Sequence, residues 1–317
     1  MEIAPGLHRV EAPLGDRFVA LHLVVGDDAA LLVDTGVDDS IRDHLLPYLD
    51  TIGLAPSALR YAVLTHSDFD HIGGNAALKE ACPDVILLCG EDDRPMIEDL
   101  ELMISDRYGE FGKDHGVPDD DDMAAFARSV SGIVPVELGL SGGETIQLGG
   151  RTVQILHTPG HSWGHLSVYD PTSDALIIGD AVLYNGLYTA TGEPAFPPTY
   201  RFLDTYRATT ARMLAMDPDL LLTAHYPVYR GSDSRDFLAE SLAYTHHVDE
   251  ILKRALSSEP TPLVGLVEAT AERLGPWPPE VAALLVYPLL GHLEAFAQRG
   301  FVVESRLPDG RLAYAAA

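Results

Sequence analysis

Cysteine and positive charge are both scarce in this chain of 317 residues. Its two cysteines, Cys82 and Cys89, are too few and too close together for a disulfide framework. They read as small core residues, because buried free cysteine behaves as a small hydrophobe. Lysine and arginine total 21 against 48 aspartates and glutamates, a formal net charge of −27. Because Lys and Arg supply most nonspecific affinity for nucleic acid, this balance disfavours a polyanionic partner. The acidity mainly serves solubility, and the run Asp119-Asp120-Asp121-Asp122 reads as a solvated loop or helix start. No continuous run of about 18 apolar residues occurs, and Met1-Glu2-Ile3-Ala4-Pro5-Gly6 lacks a basic stretch followed by an apolar one. The expectation is a cytoplasmic protein that spans no membrane.

What is present is enough apolar sequence, 46% of residues, for one large domain and a smaller appendage. From Gly6 to Val37 the pattern predicts successive antiparallel strands, including Phe18 to Val25 and Ala29 to Val33. A helix follows from Asp39 to Leu49, then a buried strand Tyr61 to Leu64 and a helix Asn75 to Ala81. Glu91 to Val130 reads as a polar helical insertion able to cover a site, punctuated by Pro95, Gly109, Gly112, Gly116 and Pro118. Strands return at Val134 to Leu138, Glu144 to Leu148, Thr152 to His157, Leu166 to Tyr169 and Ala175 to Ile178. A long helix from about Arg235 to Ser257 ends near the boundary Ser258-Glu259-Pro260-Thr261-Pro262. The division expected is residues 1–258 as the main domain, with the insertion at 91–130, and 259–317 as the appendage.

The densest chemistry lies in Thr65-His66-Ser67-Asp68-Phe69-Asp70-His71-Ile72-Gly73-Gly74, directly after the strand Tyr61 to Leu64. Imidazoles and carboxylates at a buried strand end cost several kcal/mol each when unpaired, and a bound cation compensates them most directly. Further candidates stand just beyond other apolar runs: His157 and His161 in His-Thr-Pro-Gly-His, His165 after Ser162-Trp163-Gly164, Asp180 after Gly179, and His225 after Leu220 to Ala224. Strand ends can converge on one sheet edge. A mixed set of His and carboxylate suits a catalytic transition metal rather than a Cys-rich structural zinc site.

These residues resemble the metallo-β-lactamase-fold superfamily, whose signature is His-x-His-x-Asp-His-x-Gly-Gly followed by Pro-Gly-His, a strand-end Asp and a late His. The resemblance covers about residues 6–230 and includes Leu31-Leu32-Val33-Asp34-Thr35-Gly36. It implies a four-layer α/β/β/α sandwich with a dinuclear metal site on one edge. By position, His66 and His161 would bind the first of two divalent metal ions with whatever fills the third motif position. Asp70, His71 and His225 would bind the second, and Asp180 would bridge both. The third position is Asp68, where most relatives have His. A carboxylate there either moves the expected metal from zinc, the first choice, toward iron or manganese, as in the diiron flavoprotein branch, which also carries a carboxylate at this position, or is a poor ligand that leaves the first site weak. His157 and His165 match no ligand position; Asp34 reads as a hydrogen-bonding scaffold residue, and His115 as an exposed loop residue.

The tail from Thr261 to Tyr314 resembles the winged-helix appendage of hydrolases related to the human lactamase-β-like protein 2 group. Its helices fall at Leu263 to Leu274 and Glu280 to Gln298, with a wing formed by Phe301 to Arg306 and Arg311 to Ala315. It lacks a basic recognition face, so packing or homodimerisation, around Ala282 to Tyr287, is expected over DNA binding. The leading functional expectation is a metal-dependent hydrolase that uses metal-activated water or hydroxide on a small ester, thioester or lactone. Asp70 and Asp180 would orient the nucleophile and His165 would protonate the leaving group. The alternatives are an iron-dependent oxidoreductase or dioxygenase, a phosphodiesterase or endoribonuclease, and a DNA-binding regulator. Fold alone does not select among them.

Overall fold

The alternating N-terminal sequence pairs as antiparallel strands. In the computed structural model, which describes residues 1–317, β1 (Glu2–Ala4), β2 (Leu7–Leu14), β3 (Arg17–Val25) and β4 (Ala30–Val33) follow in chain order, and β5 (Leu59–Leu64), β6 (Ile86–Gly90) and β7 (Leu138–Leu140) extend the sheet in parallel. Parallel neighbours need crossovers, and helices supply them at Leu46–Thr51 and Asn75–Ala81.

The second sheet begins with the antiparallel β8 (Thr145–Gln147), β9 (Thr152–His157), β10 (Leu166–Asp170) and β11 (Ala175–Gly179). After a short ribbon of β12 (Leu187–Tyr188) and β13 (Pro194–Phe196), β14 (Leu220–Thr223) pairs parallel with β11, and β15 (Tyr229–Arg230) closes the edge.

Three apolar layers hold these sheets and their helices together. Val24, Leu31, Val63, Val153, Val168, Ile177 and Leu222 meet between the sheets. Ile41, Leu45 and Leu78 cover the outer face of the first sheet, and Tyr206, Met213, Phe237 and Leu238 cover that of the second. This is the four-layer α/β/β/α sandwich the sequence resemblance implies. Arg151 pins the two sheets at one end: it holds Asp170 through Nη2 at 2.5 Å and reaches the carbonyls of Pro5 and Val25 at 2.9 and 3.2 Å. Cys82 and Cys89 lie in the first helix–sheet core, and burial pushes their thiols up to about 11 and about 12.

Three expectations need correction. The strand placed at Val134 to Leu138 starts only at Leu138. The Val136 backbone is satisfied by side chains instead, its N–H donating to Glu98 Oε1 at 2.8 Å and its carbonyl accepting from Arg94 at 2.8 Å.

The helix read as Glu280 to Gln298 is broken into Pro279–Ala282, a 3-10 turn at Ala283–Leu285 and Val286–Gln298. Pro288 has no N–H for the carbonyl four residues earlier and crowds it, so the chain tightens there. By length and composition Pro279–Gln298 could cross a membrane, which a search for an unbroken apolar run misses. Here Leu285, Val286, Tyr287, Leu289, Leu290 and Leu293 are buried against Val248, Ile251 and Leu252 of the helix Ser232–Ala255, so Leu285, Val286 and Tyr287 of the stretch offered to a second copy pack within the chain.

Finally, His115 is buried rather than exposed, stacked over Tyr314 with ring centroids 6.3 Å apart. The tail also gains a strand beyond the expected wing: β16 (Thr261–Pro262) pairs with β18 (Leu312–Ala316), which pairs with β17 (Val302–Arg306).

Candidate metal centre

Six of the seven residues read as ligands gather where β5, β11 and β14 end, and the seventh, His161, joins them from the loop after β9. Three overlapping groups form: His66, Asp68 and His161; Asp70, His71 and His225; and His66, His71 and Asp180, with the ligand atoms in each lying within 4.8 Å of one another. Gly179, just before Asp180, adopts φ +50°, and an added Cβ would meet Thr65 Oγ1 at 2.8 Å. Only glycine lets the two strand ends approach this closely.

Three of the four imidazoles are aimed from behind. His71 Nδ1 donates to Asp34 Oδ2 at 2.8 Å, and His225 Nδ1 donates to the Phe18 carbonyl at 3.0 Å. Thr65 Oγ1 donates to Asp34 Oδ2 at 2.9 Å and lies 3.0 Å from His66 Nδ1. The Nε2 atoms therefore face inward, in the arrangement that fixes tautomer and ring orientation at metal sites.

The donor set fits a cation. His66 Nε2, His71 Nε2 and Asp180 Oδ1 are buried without a hydrogen-bond partner, a costly state for polar atoms unless something charged binds them. His225 Nε2 stands 3.4 Å from both Asp70 Oδ2 and Asp180 Oδ1, and His71 Nε2 stands 3.7 Å from Asp180 Oδ1. Burial opposes protonation of His71, yet Asp34, Asp70 and Asp180 together push its pKa up to about 10. Three carboxylates, Asp34, Asp70 and Asp180, thus act on this one ring.

The first group is different. Arg107, on the insertion turn Ile104–Tyr108, is buried and donates from Nε to Asp68 Oδ1 at 3.1 Å and from Nη2 to Asp68 Oδ2 at 3.4 Å. Burial works against a charged Asp68, but this guanidinium and the His161 and His66 rings hold the carboxyl well below its usual range. Burial and Arg107 together push His161 down to about 4. Sequence reasoning missed Arg107. The signal was Asp68 itself, an additional buried carboxylate that requires a counter-charge.

Asp93 was also missed. Buried, it accepts from Ser162 Oγ at 2.5 Å and from the Gly164 N–H at 2.7 Å, so it shapes the loop carrying His161. His165, expected to protonate a leaving group, is fully buried behind His66, stacked at 5.1 Å, with Nδ1 beside Thr158 Oγ1 at 2.9 Å. It lines none of the main cavities, so it has no direct path for a proton to a substrate there. His157 sits at the end of β9, its Nε2 2.7 Å from the Trp163 carbonyl, away from the ligand cluster.

A cavity of about 810 Å³ opens onto Asp68, Asp70, Asp180 and His225. The insertion contributes Tyr108, Phe111 and Met123 to its wall, the tail contributes Val281, Leu284, Val286 and Tyr287, and Arg17 and Phe196 stand opposite. Residues between Glu91 and Val130 thus form part of the wall beside Asp68 and Asp70.

The sequence pattern of the metallo-beta-lactamase superfamily matches residues 14–225, about two thirds of the chain. The metallo-beta-lactamase fold-containing protein ST1585 of Sulfurisphaera tokodaii is 28% identical over 233 residues, covering 69% of this chain and 78% of that protein. A hydroxyacylglutathione hydrolase of Crocosphaera subtropica is 24% identical over 168 residues, 53% of this chain and 48% of that protein, so the match spans about half of that relative. Among solved structures, a beta-lactamase domain protein from Burkholderia ambifaria superposes with a TM-score of 0.80 at 24% identity, over 100% of this chain and 94% of that one. A metallo-beta-lactamase family protein from Thermus thermophilus gives 0.77 at 22% identity, over 99% and 100%. Both superpositions extend over the tail, and at such identity they speak for the fold alone. With the match running from β2 to His225 and the His and Asp cluster assembled at the sheet edge, the chain belongs to the metallo-beta-lactamase superfamily of metal-dependent hydrolases.

Proposed function

We propose that this protein hydrolyses a small ester, thioester or lactone whose acyl part is apolar, at a metal centre built from His66, Asp68, Asp70, His71, His161, Asp180 and His225. The observation that carries the reading is the cavity above the cluster: carboxylates and the His225 imidazole at its floor, aromatic and aliphatic side chains on its walls. A bound divalent ion supplies a water of lowered pKa and positive charge for the oxygen that becomes anionic.

The chain's own groups do the rest. Asp70 and Asp180 accept hydrogen bonds from the attacking water and orient it toward the acyl carbon. Phe69, Phe196, Leu284 and Tyr287 grip the acyl group and exclude bulk water. The Tyr108 oxygen accepts from the Phe69 N–H at 3.4 Å, which leaves its O–H free to donate. Burial, with the Asp68 and Asp70 charges, holds its pKa well above the ordinary value, so Tyr108 stays protonated and donates a hydrogen bond at the cavity wall to the departing group.

A thioester is favoured by the likeness to relatives named as hydroxyacylglutathione hydrolases. A polyanionic nucleic acid is disfavoured by Asp119 to Asp122, which line the same cavity. The redox alternative drew on Asp68 as an added metal carboxylate, and both oxygens of Asp68 are engaged by Arg107.

The test is hydrolysis of a panel of acyl thioesters, aryl esters, lactones and a phosphodiester with increasing acyl length, using Asp70→Ala as control. We expect turnover of acyl substrates that rises with apolar acyl length and falls by more than about a thousandfold in Asp70→Ala, with the fold intact by circular dichroism. Phosphodiester turnover alone, or full activity in Asp70→Ala, would overturn the reading.

A further inference from the structure

The two halves of the metal cluster are not electrically equivalent. Asp70, His71, Asp180 and His225 contain two carboxylates and no paired cationic side chain within 4 Å, and Asp180 Oδ1 has no hydrogen-bond partner. A divalent ion there meets the two charges of Asp70 and Asp180, with Asp34 behind His71 as a third carboxylate. Around His66, Asp68 and His161 the single carboxylate already faces the Arg107 guanidinium, so that half is neutral before any ion arrives.

The guanidinium is also placed where it interferes. Nη2 lies 3.0 Å from His161 Nε2 and 3.4 Å from His161 Nδ1, hence over the ring face, and 3.4 Å from Asp68 Oδ2. It flanks the same Nε2 and Oδ2 atoms, 3.0 Å apart, that would grip an ion.

Arg107 is not free to swing away. Its side chain is 7% exposed, its guanidinium carbon lies 4.8 Å over the Tyr287 ring, and its backbone carbonyl accepts from Tyr287 Oη at 2.9 Å. Tyr287 belongs to the tail, so the appendage fixes a positive charge at the metal edge. Arg107 lines both the main cavity and the smaller one beside His161, and so presents that charge to a substrate.

We propose that the chain holds one metal ion tightly, at Asp70, His71, Asp180 and His225, and that Arg107 takes the place of the second cation beside Asp68. His66 Nε2, within 4.8 Å of the His71 and Asp180 ligand atoms, faces the same single ion. The inference rests on the metal-dependent reading above and refines it: one ion at the sheet edge, and a fixed guanidinium where the substrate oxygen gains charge.

The test is a titration of chelator-stripped full-length protein with Co²⁺, followed by visible absorption and calorimetry, with Zn²⁺ content by elemental analysis. Wild type should bind one equivalent tightly, with any second weaker by roughly a hundredfold or more, because a buried like charge opposes it. Arg107→Met, which removes the charge and keeps the bulk, should bind two tight equivalents, while Arg107→Lys should return to one. Two equivalents of matched affinity in wild type would overturn the proposal. So would a loss of metal in Arg107→Met, which would show the guanidinium assembling the site rather than filling it. Should Arg107→Met not fold, Asp68→Asn decides: it keeps the tight equivalent if the proposal holds and loses one of two if it does not. No binding by any form would instead refute the metal-dependent reading itself.

Discussion

Asp34 carries more of the site's geometry than its distance from the chemistry suggests. It adopts φ +62°, the left-handed region that costs a non-glycine residue about 1 kcal/mol and that Asp and Asn tolerate best. In return its carboxylate accepts the Thr65 N–H at 2.7 Å, Thr65 Oγ1 at 2.9 Å and His71 Nδ1 at 2.8 Å, so one side chain sets the ring of His71 and, through Thr65, that of His66. Asp34→Asn keeps the backbone tolerance and removes the charge behind His71. We expect it to lower metal affinity by about ten- to a hundredfold, read by competition with a chromophoric chelator, with the melting temperature little changed. Unaltered affinity would mean that the rings are oriented by packing alone. The role of Asp34 was legible from its strand-end position. Its link to His71 was not, because the two meet only when β4 and β5 pair in parallel.

At the scale of elements, sequence and structure agree where the apolar pattern is strong and part where side chains or prolines intervene. β9, β11 and the helix Asn75–Ala81 fall within a residue of their expected limits. The helix Leu203–Met216 is not expected from the pattern: its buried positions include Thr209 and Thr210 beside Tyr206 and Met213, so no clean apolar stripe marks it. It is tied to its neighbours by polar contacts instead. Asp249, on Ser232–Ala255, accepts from Arg207 at 2.8 Å and from His292 Nδ1 at 2.6 Å, joining that helix to Leu203–Met216 and to Val286–Gln298 of the tail. Burial opposes the Asp249 charge, yet the His292 and Arg207 contacts hold its pKa down to about 2. A carboxyl with a lowered folded-state pKa stabilises above its unfolded value, near 4, and loses that contribution as pH falls toward the folded value. Asp249→Asn should therefore be less stable than wild type in urea at pH 6, with the difference shrinking between about pH 4 and pH 2. A difference independent of pH would assign the contact to packing rather than charge.

Across the whole molecule, the sandwich and the gathering of His66, Asp68, Asp70, His71, His161, Asp180 and His225 at one sheet edge were readable because these residues stand just beyond apolar runs and the motif spacing is dense. The counter-charge was not readable. Arg107 lies 39 residues from Asp68 in sequence, inside an insertion whose packing is set by Tyr287 of the tail, and no local pattern links the three. The cavity has the same composite origin, with its floor from the sheet edge, one wall from the insertion and another from the tail. Removing the tail should therefore disturb the site as well as the surface.

Chelation with reconstitution decides whether hydrolysis depends on a metal held by this cluster. Acyl hydrolysis and metal content are measured together on protein as purified, after stripping with a chelator, and after return of Zn²⁺, Mn²⁺ or Fe²⁺. Activity should disappear with the metal and return in proportion to the ion rebound. Hydrolysis that persists in metal-free protein would contradict that dependence.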